Sequence, residues 1–369
     1  MGDDIGGMEM SLLAIKDKVL DVPIIQGGMG IGVSLGGLAG AVMGQGGMGT
    51  ISAANPGFRK ATFHKKPLLA NLEALAEEIA KARKIAKGKG MLAVNIMVKG
   101  TNYAALVKQA VTHRVDAIIS GAGLPLELPK FVEGTGIAIA PIVSSSKAAQ
   151  VICRSWDRKH GVAPDFVVVE GADAGGHLGF SREELETGQH KDLKTLVKEV
   201  IQAVEPFAQK IGRKIPVIAA GGIFTGEDIA EYVKIGAAGV QMGTRFIGTH
   251  ECDADIGFKQ RFLDASADDV ILTKSPAGLP GRALRTSLTT TLETVDRIPP
   301  KWCVDCLEPC IPKTTVYCIS EALINAANGS LAEHALVFTG INGHRMNKLT
   351  SVKETIDELM AEYRGVMNG

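Results

Sequence analysis

The stretch EGADAGGHLGF, Glu170 to Phe180, follows the apolar run DFVVV and carries a histidine among four glycines. An imidazole titrates near neutrality, so His177 at the end of a buried strand could take or return a substrate proton and steady a developing anion. The glycines beside it lack a Cβ, which lets another group come close to the main chain. A second chemical signal lies far downstream, where Cys303, Cys306, Cys310 and Cys318 have the spacing C-x2-C-x3-C-x7-C. Four thiolates so closely spaced could ligate an iron-sulfur cluster or zinc. The spacing differs from the bacterial ferredoxin run and from two separated CxxC pairs, so reduced thiols in a compact tail are the competing reading. Cys153 and Cys252 stand alone and read as core or surface thiols.

Eight short β-rich apolar runs begin at Val22, Gly47, Met91, Asp116, Ile137, Asp165, Ile215 and Gly239. Segments with helical apolar spacing lie between them, such as NLEALAEEIAKARKIAKG, NYAALVKQAVTHR and DLKTLVKEVIQAVEPFAQKIG. Parallel strands need crossover connections, and eight βα units in succession predict a closed (β/α)8 TIM barrel, which leaves no exposed sheet edge. A doubly wound open sheet is the rival, disfavoured because no GxGxxG follows the first strand. After Phe262 the pattern changes to strand and loop, then the cysteine-rich segment, then helical stretches from Ile319 and Ser351. The expected division is a barrel over residues 1–265 and a C-terminal Cys-rich and helical extension, 266–369, packed on it.

In such a barrel ligands bind where strands end and βα loops begin. AAGGI followed by a short helix, and then QMGTRF, place bare backbone N–H groups of Gly221, Gly222 and Gly243 and the Thr244 hydroxyl after strands seven and eight. A phosphate needs several donors converging without Cβ atoms in the way, and barrels commonly hold one there. Gly-rich loops after strands one, four and six imply that something broad and flat also rests on the rim. A flavin ring whose ribityl phosphate reaches the strand seven and eight site meets that description. Asn95, ending strand three, either bonds the pyrimidine edge of such a ring or ties two loops together.

The motifs QGGMG, AVNIM, SGAG, EGADAGGHLG, IPVIAAGGI and VQMGTRF, in that order over residues 20–250, resemble the nitronate monooxygenase family and its relative, the FMN-dependent enoyl-acyl carrier protein reductase of the second type. A weaker echo runs from Phe338 to Tyr363. The resemblance implies FMN at the barrel mouth, with Gly27, Gly28 and Met29 against the isoalloxazine and Asn95 and Glu170 contacting the cofactor. It places Gly175, Gly221, Gly222, Gln241, Gly243 and Thr244 along the ribityl chain and phosphate, and makes His177 the active-site histidine. Glu170 stands where many nitronate monooxygenases have Gln, although the enoyl reductases also carry Glu, and Asp173 replaces the commoner Glu before AGGH. Alkyl nitronate oxidation with oxygen is therefore the first expectation, NAD(P)H-dependent enoyl-thioester reduction the second, and a non-redox barrel binding a phosphorylated ligand the third.

Composition limits the partners. Forty basic and forty acidic residues cancel, and no block of like charge suggests nucleic acid, so a small-molecule substrate is expected. From Ile24 to Phe58 no residue is charged, a length sufficient to span a bilayer, but twelve of those positions are glycine. That segment reads as buried soluble structure. The N-terminus lacks the basic and apolar regions of a secretory signal, and Gly6 stands where a myristoylation signal needs Ser or Thr. A cytoplasmic location follows as the expectation, with a homodimer permitted by the neutral charge.

Overall fold

The computed structural model describes residues 13–308 and 310–369. The stretch in which leader and lipidation signals were sought lies outside the described residues.

All eight expected strands form, as β1 (Ile24–Gln26), β2 (Met48–Ser52), β3 (Met91–Met97), β4 (Ala117–Gly121), β5 (Ala138–Val143), β6 (Val167–Glu170), β7 (Val217–Ala220) and β8 (Gly239–Met242). They pair in parallel and close, β8 on β1 and β6 on β7. The two-residue period of a strand sorts their side chains into two layers. Ile25, Ala93, Ile119, Ala140, Val168 and Ile218 fill the barrel interior. Val94, Ile118, Ile139, Val167 and Val217 face the surrounding helices. Both faces are covered, which is why the strands read as continuous apolar runs. An antiparallel hairpin, Leu13–Ile15 with Lys18–Leu20, inserts Leu13, Ile15 and Leu20 into the inner cluster. Its Lys16 ammonium donates to the Gly136 carbonyl, just before β5, so the hairpin plugs the N-terminal end of the barrel.

The uncharged segment is β1, the helix Gly36–Gly44 and β2. Two of its glycines let helices pack closely. A Cβ on Gly36 would lie 2.4 Å from the Glu78 carbonyl oxygen and one on Gly40 2.7 Å from that of Ala82, both on the helix Pro67–Ala86. Among the described residues no helix is long and apolar enough to cross a membrane.

The tail adds the strands Val270–Thr273, Gly281–Leu284 and Val337–Phe338, an antiparallel sheet that also takes in the short strand Gly176–His177 from the loop after β6. The expected helices form at Ile319–Ala327 and Val352–Asn368, the second opened by a capping box between Ser351 and Glu354. β8 is followed by just four helical residues, Thr244–Ile247. The helix Val352–Asn368 completes the outer ring in their place, packing against Gly226–Lys234 and Gly36–Gly44. The approach is close: a Cβ on Gly226 would sit 2.1 Å from the Leu359 carbonyl oxygen.

Candidate active site

A cavity of about 260 Å³ opens at the C-terminal ends of the strands. Every residue expected at the site lines it: Gly27, Gly28 and Met29 after β1, Asn95 on β3, Glu170, Gly175 and His177 from β6 and its loop, Gly221 and Gly222 after β7, and Gln241, Gly243 and Thr244 from β8.

The glycines are there for different reasons. A Cβ on Gly28 would lie 2.4 Å from the Asn95 Cβ, and one on Gly175 2.5 Å from the Thr339 carbonyl carbon. At those two positions the protein's own packing already excludes a side chain. Gly221 and Gly222 have φ of +102° and +75°, the left-handed region that glycine enters without penalty. Asn95 lines the cavity while its amide donates to the Ile119 carbonyl of the neighbouring strand (3.3 Å).

His177 is held from three sides. Its Nε2 lies 2.7 Å from the Ser275 Oγ, the Phe338 ring meets it edge-on at 5.2 Å, and its backbone pairs with Gly281. Burial, with the nearby Lys99 charge, lowers its pKa to about 4, so the imidazole is neutral at pH 7. Lys99 spends one hydrogen bond on the Ala277 carbonyl, and no ion pair to it is present among the described residues. Glu170 is pushed up to about 7 by burial.

The donor set was tested for a phosphorylated flavin. Among the described residues the backbone N–H groups of Gly221, Gly222, Ile223, Gly243 and Thr244 have no protein acceptor, whereas those of Phe224 and Thr225 are taken by the Asp228 carboxylate. The Thr244 Oγ accepts from the Gly340 N–H (3.0 Å), which leaves its own proton to donate. Two turns of unsatisfied N–H groups on one rim suit a phosphate, and the apolar side chains Met29, Ile31, Leu336 and Phe338 suit a ring system.

Ser275, Arg282 and the segment Phe338–Asn342 were not found by sequence reasoning. Arg282, 7% exposed, donates to the carbonyls of Ala172 and Ala174 and so shapes the loop ahead of His177. Asn342 donates to the Gly222 carbonyl. A faint signal for the last segment existed in the family echo beginning at Phe338.

The cysteines do not assemble the expected ligand set. Among the described residues no three His, Cys, Asp or Glu side chains converge to hold a metal ion. The Cys318 sulfur accepts the Glu321 N–H at the start of its helix, and Cys303 is exposed with its sulfur accepting from the Asp305 N–H. Cys306 packs against the cluster of Ile31, Phe58 and Phe63, and Cys310 joins the cluster around Tyr317. Their thiols are spent on packing and local capping.

The nitronate monooxygenase family model matches residues 13–362. The chain belongs to the nitronate monooxygenase family. A similar curated protein is (3aS,4S,5R,7aS)-5-hydroxy-7a-methyl-1-oxo-octahydro-1H-indene-4-carboxyl-CoA dehydrogenase of Mycobacterium tuberculosis, 28% identical over 75% of this chain and 67% of that protein. A probable nitronate monooxygenase of Staphylococcus haemolyticus is 33% identical over 37% of this chain and 36% of that one. Matches to the first curated relatives span between about half and two thirds of those proteins' lengths. Among solved structures, FabK of Thermotoga maritima superposes with a TM-score of 0.72 at 26% identity, covering 95% of this chain and 94% of that one. Nitroalkane oxidase of Streptomyces ansochromogenes shares the fold, with a TM-score of 0.72 at 21% identity over 95% of this chain and 97% of that one. As a member of this nitronate monooxygenase family the chain is an oxidoreductase of the FMN type.

Proposed function

We propose that the protein oxidises alkyl nitronates with oxygen at an FMN seated in this cavity, with His177 as its proton-handling group. The supporting observation is the environment of His177: a half-buried imidazole, neutral at pH 7, held at a fixed angle in a cavity that is also lined by backbone N–H groups without protein acceptors. FMN, when bound, supplies a two-electron acceptor whose reduced form reacts with oxygen. Gly221, Gly222, Gly243 and Thr244 would hold its phosphate, and Gly27, Gly28, Met29, Asn95, Glu170, Gly175 and Gln241 the remainder. The chain's own contribution is to place substrate and proton. Neutral His177 can take the α-proton of a substrate that arrives as the neutral nitroalkane, whereas a nitronate has already lost that proton and is favoured as an anion by the Lys99 charge close by. Leu323, Leu336 and Phe338 exclude water from the reacting face.

A second reading, thioester oxidoreduction, is favoured by the indene-carboxyl-CoA dehydrogenase relative and by the structural likeness to FabK, an enoyl-acyl carrier protein reductase of the second type. It uses the same histidine, with the nearby Lys99 charge favouring a thioester enolate. In either reading we place the enzyme in the cytoplasm acting on a small molecule. Anaerobic mixing separates the two. Bleaching of the flavin band by an alkyl nitronate but not by NADH or NADPH is expected. Bleaching by the nicotinamide alone, with enoyl thioester restoring the colour, would replace nitronate oxidation with thioester reduction. Protein that stays colourless after supplementation with FMN would overturn both and leave a non-redox barrel.

A further inference from the structure

The segment Phe338–Asn342 of the tail touches three of the loops that line the cavity, those after β6, β7 and β8. The Gly340 N–H donates to the Thr244 Oγ after β8 (3.0 Å), and the Ile341 N–H donates to the Asp173 carbonyl after β6 (3.1 Å). The Asn342 amide donates to the Gly222 carbonyl after β7 at 2.7 Å. Thr339 is anchored from behind by its N–H to the Arg282 carbonyl (3.1 Å).

The bond from Asn342 has a particular consequence. Gly221 and Gly222 both lie at positive φ, and glycine allows the adjoining peptide planes more than one orientation. A trans peptide is planar, so its C=O and N–H point in opposite directions. Holding the Gly222 oxygen toward Asn342 therefore turns the Ile223 N–H, the other end of the same peptide unit, away from Asn342. Ile223 carries the last N–H of this turn without a protein acceptor, because Asp228 takes the next two.

We propose that Asn342 is a positioning residue for phosphate recognition: it fixes the Gly222–Ile223 peptide so that the turn after β7 presents its N–H groups to the phosphate of the bound flavin. This rests on the FMN reading of the cavity. Asn342 acts on the phosphate through the Gly222 peptide and has no part in proton transfer.

The test compares two flavins that differ by the phosphate. The full-length protein is stripped of flavin, and its affinity for FMN and for riboflavin is measured by fluorescence titration, in wild type and in Asn342→Ala. A charge-assisted set of hydrogen bonds held in register predicts about a tenfold or greater loss of FMN affinity in the variant, with riboflavin changed less than about twofold. Equal loss for both flavins would make Asn342 a general brace and overturn the proposal, as would unchanged affinity for both. Asn342→Leu, branched at Cγ like Asn and without the donor, repeats the measurement should the alanine variant fold poorly. If neither variant folds, Asn342 determines the fold and the proposal falls. The cofactor reading fails separately: wild-type protein binding neither flavin removes it, and wild-type protein binding both equally removes the phosphate site alone.

Discussion

The cavity wall has two halves of different origin. One is built from the barrel loops, with Gly27, Gly28, Gly221, Gly222, Gly243 and Thr244 as its signature, and the other from the tail, with Leu336, Phe338, Gly340 and Asn342. In the barrel half each loop follows its own strand, so position on the rim and position in the sequence go together. In the tail half the residues reach the site by antiparallel pairing of Gly281–Leu284 with Gly176–His177 and with Val337–Phe338, contacts that span about a hundred residues on one side and more than fifty on the other. In the reading proposed above the barrel half supplies the cofactor seat, while the tail half contacts the histidine through Ser275 and Phe338 and the Gly222 carbonyl through Asn342. A division at residue 265 thus runs between residues that line one cavity.

The largest effect expected is at the point where both halves hold one side chain. His177→Ala should keep the flavin, since none of the unsatisfied N–H groups depends on it, yet lose about 10²- to 10⁴-fold in turnover, the range of a general acid or base. Visible spectra and steady-state rates check this together. Full retained activity would place the chemistry elsewhere and leave His177 as a brace for the Lys274–Pro280 loop.

The seam itself is broken next. A Cβ on Gly175 would press to 2.5 Å of the Thr339 carbonyl carbon and 2.6 Å of the Gly340 nitrogen, both of them backbone atoms that cannot rotate away. Gly175→Ala should cost about 1–3 kcal/mol, as overpacking does, lowering Tm by several degrees and weakening flavin retention. An unchanged Tm with unchanged flavin content would show that the two halves move apart freely.

The division between legible and hidden parts follows the range of the physics involved. The eight strands were readable because burial on both faces forces unbroken apolar runs, visible within a few residues. The site glycines were readable too, although the reason for Gly28 and Gly175 was not, because the atoms that exclude their side chains belong to Asn95 and Thr339. Ser275, Arg282 and Asn342 carry no local signature: a serine in a loop, a buried arginine and an asparagine gain their roles from what they reach. The cysteines failed in the other direction. Their spacing is a local signal, but metal ligation needs three or more ligands to converge on one point, and among the described residues none do.

A smaller effect separates the two titrating groups on the barrel side. Burial raises the folded-state pKa of Glu170 from 4.5 to about 7, so between those values the native state holds a proton that the unfolded state has released. Stability therefore falls as pH rises through that window and stays lower above it. His177 acts in the opposite sense. Its pKa falls from 6.5 to about 4, so the unfolded chain gains a proton first and stability falls as pH drops from 6.5 toward 4. In the flavin-free protein the two slopes offset between about pH 4.5 and 6.5. Glu170→Gln removes one of them. The variant should match wild type near pH 4 and exceed it by about 1–2 kcal/mol at pH 8, a figure that allows for water reaching the carboxylate. Urea unfolding at the two pH values measures it, and a variant equally stabilised at both would show that Glu170 is not protonated in the folded site.

The smallest effect asks whether contact across the seam, and not glycine itself, makes Gly175 sensitive. Gly365 lies in the ring-closing helix Val352–Asn368, where a Cβ would meet nothing within 4 Å. An alanine there loses less backbone freedom on folding than glycine does, so Gly365→Ala should stabilise by about 0.5–1 kcal/mol. The two substitutions are chemically identical and both lie on elements that assemble the cavity or its ring, so their opposite signs would isolate the crowding at Thr339–Gly340 as the cause. A destabilised Gly365→Ala variant would mean that the closing helix is packed on that face by something beyond this chain, and the contrast with Gly175 would lose its control.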